Sequence, residues 1–524
     1  IDIINLLLAR PEIDINCKTK EIFQHSGYSR NFFTIANGIP EFKLINENSV
    51  KVSEKSELHY AIEKKQTDIV KFLLGQPKID VNAKCTFSSK GDEGVRMTED
   101  TPLNMAIQKK DLDMIKHLVS HPDIDINIQI SFLETYKKSG QYKNLIHVKN
   151  KIFYQGYEEE EEEEEEESND QYEYKEQYTA LHQAIGIDKN DIVDFLLTLP
   201  DIDVNAKSIK KFRKREIGFT PLHRAIEHGN IKMIKLLLRR PEIDVNIPLT
   251  HTKKDKETPL CMAIESGKDV IAKLLLERPE INVNAKSIHN ILCPKQKSQQ
   301  ERTALHIAIQ KGKVEIVKLL LDRNEIDINA LQTNINYSKE VKLIQTIKKT
   351  ALHIAIQAQN IEIIQFLLEK PGIDVNVNYS DSLQTDYNSV RIKPTLYMAV
   401  EIGNYNIVQL LLQIPDIDVN AKTTLANEKK GSFERTALHE AISKGNIEII
   451  KLLLNTPKID VNIKSILQDK EGRSEETSAL YDAVVKENIE LINLLLNAPE
   501  IDVNMISIFQ NNEGGFKKRT AKIA

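Results

Sequence analysis

The sequence predicts an all-α repeat solenoid, a stack of helix–turn–helix units with extended tails, and three observations predict it. A leucine two residues into the first helix of a unit recurs at Leu58, Leu103, Leu181, Leu222, Leu260, Leu305, Leu352, Leu396, Leu438 and Leu480. A tail of the type Ile-Asp-Val-Asn ends at Asn16, Asn82, Asn127, Asn205, Asn246, Asn284, Asn329, Asn376, Asn420, Asn462 and Asn504. From Asn205 onward the tails are regularly spaced, from 38 residues (Asn246 to Asn284) to 47 (Asn329 to Asn376). Self-similarity at a period of this size is the mark of a solenoid, because one unit is too small to bury its own apolar face.

Residues 301–329 show the unit most plainly. Thr303 is suited to cap the first helix, since its hydroxyl can accept from an orphan backbone N–H of the first turn. Leu305, Ala308 and Ile309 follow at helical spacing, and Gly312 is placed to end the helix. Val314, Val317, Leu320 and Leu321 form the apolar face of a second helix, which stops before the extended Ile326-Asp327-Ile328-Asn329. In other units Pro11, Pro77, Pro122, Pro200, Pro241, Pro279, Pro371, Pro415, Pro457 and Pro499 stand near that stop, with Asn324 the exception. Proline cannot continue a helix and biases its predecessor toward extended backbone, so it fixes the end.

Composition narrows the function. A net charge of −6 leaves no global basic field for nucleic acid. No apolar run approaches the roughly 18 residues that cross a bilayer. The cysteines Cys17, Cys85, Cys261 and Cys293 have no metal or redox spacing, a usage that fits a reducing compartment. No Gly-rich phosphate loop, nucleophile elbow, kinase signature or zinc-spaced set is found, so no catalytic residue, cofactor, metal or small-molecule substrate is expected. His59, His182, His223, His306, His353 and His439 share one slot of the first helix. Asn104, Cys261, Tyr397 and Tyr481 fill that slot elsewhere, which excludes a shared reaction or metal. The repeated tail aspartates, such as Asp244 and Asp460, read as turn chemistry.

Thr220-Pro-Leu-His223-Arg-Ala225-Ile226, then Gly229-Asn230, Ile234-Lys-Leu-Leu-Leu238 and Asp244-Val-Asn246 resemble an ankyrin repeat. The resemblance runs from Ile1 nearly to the C-terminus. It implies stacked ankyrin helix–turn–helix units with β-hairpin or long finger loops, and a concave face that binds other proteins. It also implies that each slot histidine bonds within its unit and its neighbour. The chain departs from the family's usual period of about 33 residues; its extra residues fall between tail and next helix, where the finger lies. It also has proline where the resemblance leads one to expect glycine after the second helix.

Taken in order, residues 1–127 read as repeats, the first truncated, with a long finger at 17–55 holding Phe23, Phe32, Phe33 and Phe42. A long finger is favoured there over a decayed repeat. Residues 128–178 read as an acidic low-complexity insertion containing Glu158–Glu167, expected to be disordered because like charges repel and bury nothing. Its bland reading is a solvated insertion, its sharper one a lure for a basic partner. Residues 179–505 read as further repeats, and 506–524 as a finger with the start of another. Both ends look like interrupted units, so a longer array is expected.

The partner-binding candidates fall in two groups. Lys210, Lys211, Arg213, Lys214 and Arg215 make a basic finger, read as solvated first, with an internal clamp against the acidic run, an import-like signal or an acidic-partner site as alternatives. The second group follows the resemblance: Glu227 and His228, Glu265 and Ser266, Gln310 and Lys311, Gln357 and Ala358, and Ser443 and Lys444. The function expected is a non-catalytic protein-binding scaffold or adaptor, intracellular, chiefly cytoplasmic with a nuclear place open. The alternative is the targeting arm of a larger kinase, ubiquitin ligase or channel.

Overall fold

The computed structural model describes residues 14–26, 29–35, 49–91, 94–137, 171–212, 215–250, 255–292, 296–338, 343–384, 388–428, 431–510 and 516–520. The expected helix at residues 1–8, the Glu158–Glu167 run, Phe42 and residues 521–524 lie outside the described residues. The chain divides into two compact units, one reaching Ala263 and one starting at Ile264, and each is taken separately.

The repeat folds as its periodicity dictates. Ala304–Gln310 and Val314–Leu321 are the two helices of residues 301–329. Thr303 and His306 close a capping box at the first, which satisfies orphan donors at both residues. Leu305, Ala308, Ile309, Val317, Leu320 and Leu321 are each no more than 3% exposed. Between the helices Gly312 takes a left-handed φ of 64°, a conformation that costs glycine little. Gly229, Gly267, Gly403 and Gly445 do the same elsewhere, whereas Lys65, Lys110, Asp188, Gln359 and Glu487 hold that backbone without being glycine. Helices end as the prolines require: Ile231–Leu238 is capped by Arg239, with Pro241 just beyond.

The tail asparagines tie each helix pair to the next. In the first unit, the Asn82 side chain donates to Asp123 O at 2.7 Å and accepts from Asp125 N at 2.9 Å. Asn16, Asn127 and Asn205 repeat this bridge to their successors. In the second unit Asn284, Asn329, Asn376, Asn420 and Asn462 do likewise. One amide thus supplies a donor and an acceptor to backbone groups that the extended tail leaves unpaired. The tail aspartates are turn residues: Asp244 Oδ1 accepts from Asn246 N, and Asp460 Oδ1 from Asn462 N, both at 2.9 Å.

The fingers join from repeat to repeat. In the first unit nine antiparallel strands form one sheet, in the order Ser29–Ile35, Lys18–Ser26, Ser49–Ser56, Cys85–Gly91, Gly94–Asp100, Ile130–Lys137, Gln171–Tyr178, Ser208–Phe212 and Arg215–Phe219. In the second, twelve antiparallel strands run in sequence order from Lys286–Leu292 to Phe516–Thr520. An isolated two-stranded hairpin is marginal in water; pairing along the stack gives each inner finger two neighbours and each end finger one.

Two expectations meet these strands. Within 17–55 the described residues form three strands and no helix, and 36–48 lie outside the described residues. Within 128–178, Ile130–Lys137 and Gln171–Tyr178 are a paired hairpin, which corrects the reading of that whole span as an insertion. The physical reason is burial: Ile130 is 1% and Tyr174 8% exposed, and Tyr174 meets Phe132 edge-on with ring centroids 5.9 Å apart.

Candidate partner-binding face

In five repeats the residue just before the cap of the first helix, at or next to the end of the second finger strand, bonds the end of that helix. Lys55 bonds Glu63 at 2.7 Å, Gln108 donates to Asp100 at 2.8 Å, Arg302 to Gln310 at 3.0 Å, Lys349 to Gln357 at 3.1 Å and Lys393 to Glu401 at 2.5 Å. The partners are always eight residues apart, because the intervening cap and two helical turns fold the chain back beside its strand. These bonds mark the sheet face that looks toward the first helices. Asp100 is the outlier: it is 4% exposed, and burial pushes its carboxyl up to about 7.

The predicted residues at the helix ends sit along this face. Glu227, His228, Ser266, Gln310, Lys311, Gln357, Ala358, Ser443 and Lys444 are exposed, and Glu265 is half-buried. Several are engaged within the chain: Glu265 pairs with Lys311 at 3.1 Å and Arg302 at 3.3 Å, Gln310 donates to Gln332 at 2.9 Å, and Ser443 O accepts from Lys486 at 2.7 Å.

The basic finger splits. Lys210 points inward, 3.9 Å from Glu227 and 4.6 Å over the Phe219 ring; two candidates from different groups thus meet. Lys211 is exposed and stands opposite Glu216 and Lys175. Arg215 opens the strand Arg215–Phe219, opposite Phe212. Arg213 and Lys214 lie outside the described residues. The clamp to Glu158–Glu167 falls there too, although Glu176, farther along, pairs with Arg224 at 2.9 Å and stands opposite Lys210. Arg224 reaches Glu176 across Gly186, where a Cβ would come within 2.7 Å of the guanidinium.

The slot histidines are keystones of the helix caps. Ser56, Thr179, Thr220, Thr303, Thr350 and Thr436 each place a hydroxyl 2.6–2.9 Å from the Nδ1 of the histidine three residues on. The Thr303 N–H also donates to His306 Nδ1, and His306 Nε2 lies 3.1 Å from Ala330 O. That pairing fixes the neutral ring with its proton on Nε2. Burial holds His59, His306, His353 and His439 down to about 4, and His182 to about 3. The expected bond to a neighbouring repeat is seen at His182, whose Nε2 lies 3.3 Å from Phe219 O. Where Asn104 fills the slot it accepts from Thr101 Oγ1 at 2.6 Å and donates to Gln183 at 2.8 Å.

Sequence reasoning missed the tail-asparagine bridges, although their signal, an invariant Asn in a repeated tail, was in plain view. It also missed the strand-to-helix latches, whose signal is a polar pair eight residues apart across the cap. Among the described residues no helix is long and apolar enough to cross a membrane, and no group of three or more His, Cys, Asp or Glu could hold a metal ion.

The sequence matches a known family. The family model described as ankyrin repeats (3 copies) matches residues 1–130, 150–248, 211–287, 248–332, 285–379 and 393–507. The crystal structure of Legionella pneumophila effector AnkC is 15% identical, covering 53% of this chain and 76% of its own, with a TM-score of 0.32. An ankyrin repeat protein from Leishmania major is 14% identical, covering 76% of this chain and 81% of its own, with a TM-score of 0.17. No curated protein matches the sequence significantly. Ankyrin repeats are in general modules of protein–protein interaction, and the chain belongs to the ankyrin repeat family.

Proposed function

We propose that this chain is a non-catalytic scaffold that binds partner proteins through the face shared by its finger sheets and the ends of its first helices. One observation carries the reading. The helix cores repeat with little change, whereas the exposed positions at the helix ends vary among repeats: Glu227-His228, Gln310-Lys311 (a pair that recurs at Gln108-Lys109), Gln357-Ala358 and Ser443-Lys444. Variation restricted to one exposed face of a rigid stack is what partner recognition requires.

The test is affinity capture from native lysate with mass spectrometry, using the intact chain and a variant with Gln310, Lys311, Gln357, Ser443 and Lys444 changed to alanine. A discrete partner held by the intact chain and lost by the variant supports the reading. Capture of the same proteins by both, or of none by either, contradicts it.

A further inference from the structure

In the first unit a cavity of about 550 Å³ opens between the finger sheet and the helix Glu57–Glu63. The rings of Tyr60 and Phe87 wall it, and the Lys55 ammonium lies 5.3 Å and 4.8 Å from their centroids. Lys55 is 5% exposed and bonded to Glu63, so this charge is fixed in place before any ligand arrives. Four cations line the cavity, Lys51, Lys55, Lys64 and Arg96, against two acids, Glu21 and Glu63. Glu63 is spent on Lys55, and Arg96 is tied to Glu134 at 3.2 Å. Lys51 and Lys64 are exposed and belong to no ion pair among the described residues. Ser88 and Ser89 add hydroxyl donors, while Ser53 donates to Glu21 at 3.3 Å. The buried Tyr60 hydroxyl faces the Glu21 carboxylate.

We infer that this cavity is an anchor site for an acidic peptide of a partner, seating one or two Asp or Glu side chains with their carboxylates toward Lys51, Lys64 and the inner Lys55. The inference rests on the scaffold reading and adds the chemistry of its partner. A space of this volume suits a few side chains rather than a folded surface. The excess of cations selects for carboxylates, and the low-polarity rings around Lys55 strengthen its field inside the cavity. A basic peptide meets the same cations as repulsion.

The test uses the full chain and a fluorescein-labelled hexaglutamate peptide, read by fluorescence polarisation at 50 mM and 300 mM salt. Hexaglutamate is expected to bind, with a loss of about tenfold in the double variant Lys51→Gln/Lys64→Gln and weakening in high salt. Hexaglutamine should not bind, and Lys517→Gln/Lys518→Gln, exposed in the other unit, should change nothing. Absence of hexaglutamate binding, equal binding of hexaglutamine, tighter binding of a six-residue oligothymidylate, or an unchanged Lys51→Gln/Lys64→Gln variant would each overturn the site. Circular dichroism confirms that the variants keep the fold. Lysate capture separates this site from the function it rests on. A partner that survives Lys51→Gln/Lys64→Gln overturns the site and leaves the scaffold standing, whereas no partner for the intact chain overturns the scaffold itself.

Discussion

The two sheets share a backbone plan and differ in what lines their helix-facing side. In the nine-stranded sheet, charges stack on rings: Lys55 on Phe87, Arg96 on Phe132 at 5.4 Å, Lys210 on Phe219, and Arg224 on Phe219 at 5.6 Å. In the twelve-stranded sheet the early strands carry a chain of amides. Gln310 donates to Gln332, Gln332 to Asn334 at 3.0 Å, Asn336 to Gln345 at 3.3 Å and Gln345 to Asp381 at 2.9 Å. The lesson is that helix cores and tail bridges set the stack, while the finger face is free to change its chemistry. The nine-stranded face sets its charges against rings, while the early strands of the other add neutral donors and acceptors beside their ion pairs.

Substitutions can break or sharpen that comparison. The largest effects should be the same in both units, because they strike the common core. Leu196→Ala and Leu320→Ala, each at a side chain with no exposure, should each cost about 2–5 kcal/mol in urea unfolding. A much smaller loss at either would mean that the two stacks are not packed alike.

Acid should also act on both units. The slot histidines titrate lower in the folded chain than the 6.5 expected when unfolded. Below that value the unfolded state binds protons that the folded state refuses, so stability falls as pH drops from 6.5 to about 4 and levels off beneath. Each such histidine is worth about 3 kcal/mol over that window. His306→Asn, which copies the residue of the Asn104 slot, should flatten the fall in a pH series of melting temperatures.

Asp100 stands apart, since the corresponding strand ends hold cations at Lys55 in its own unit and at Arg302, Lys349 and Lys393 in the other. Its folded pKa of about 7 lies above the 3.8 of an ordinary aspartate. The folded state then holds a proton that the unfolded state has released, so this group destabilises as pH rises from 3.8 through 7. Asp100→Asn keeps an acceptor for Gln108 and should raise stability by about 2 kcal/mol at pH 8, with little gain at pH 4. Equal effects at both pH values would contradict the buried-acid reading.

The smallest effects belong to the left-handed turns. Lys110→Gly in the first unit and Gln359→Gly in the second remove a side chain from backbone at φ 58° and 53°. Each should stabilise by about 1 kcal/mol in thermal unfolding. Loss of stability in either would show that the side chain offsets its strain.

Much of this was legible in the sequence, and the limits have physical causes. Helix pairs, buried leucines, tail turns and capping histidines follow from local spacing, which a sequence displays. Finger pairing does not: Gln332–Ser338 alternates its amides with Thr333, Ile335 and Tyr337, which marks a strand without naming its partner, and on one side it pairs with Gln296–Thr303 across the intervening helices. The inward turn of Lys210 was hidden for the same reason. Its neighbours Glu176 and Glu227 come from the strand before and the helix after, so a run of cations read locally passes for a solvated tip. Left-handed turns were visible where glycine fills them and invisible at Lys65, Lys110, Asp188, Gln359 and Glu487.

The central claim is that the fingers are paired from repeat to repeat rather than projecting singly. Hydrogen–deuterium exchange with mass spectrometry tests it on peptides covering Gln332–Ser338 and Leu343–Lys349, which between them pair with strands of both neighbouring fingers. Paired sheet strands should keep their amides for minutes to hours, close to the helices Ala304–Gln310 and Ala351–Gln357. Complete exchange within seconds in the fingers, beside protected helices, would show that the hairpins stand alone and would contradict the account.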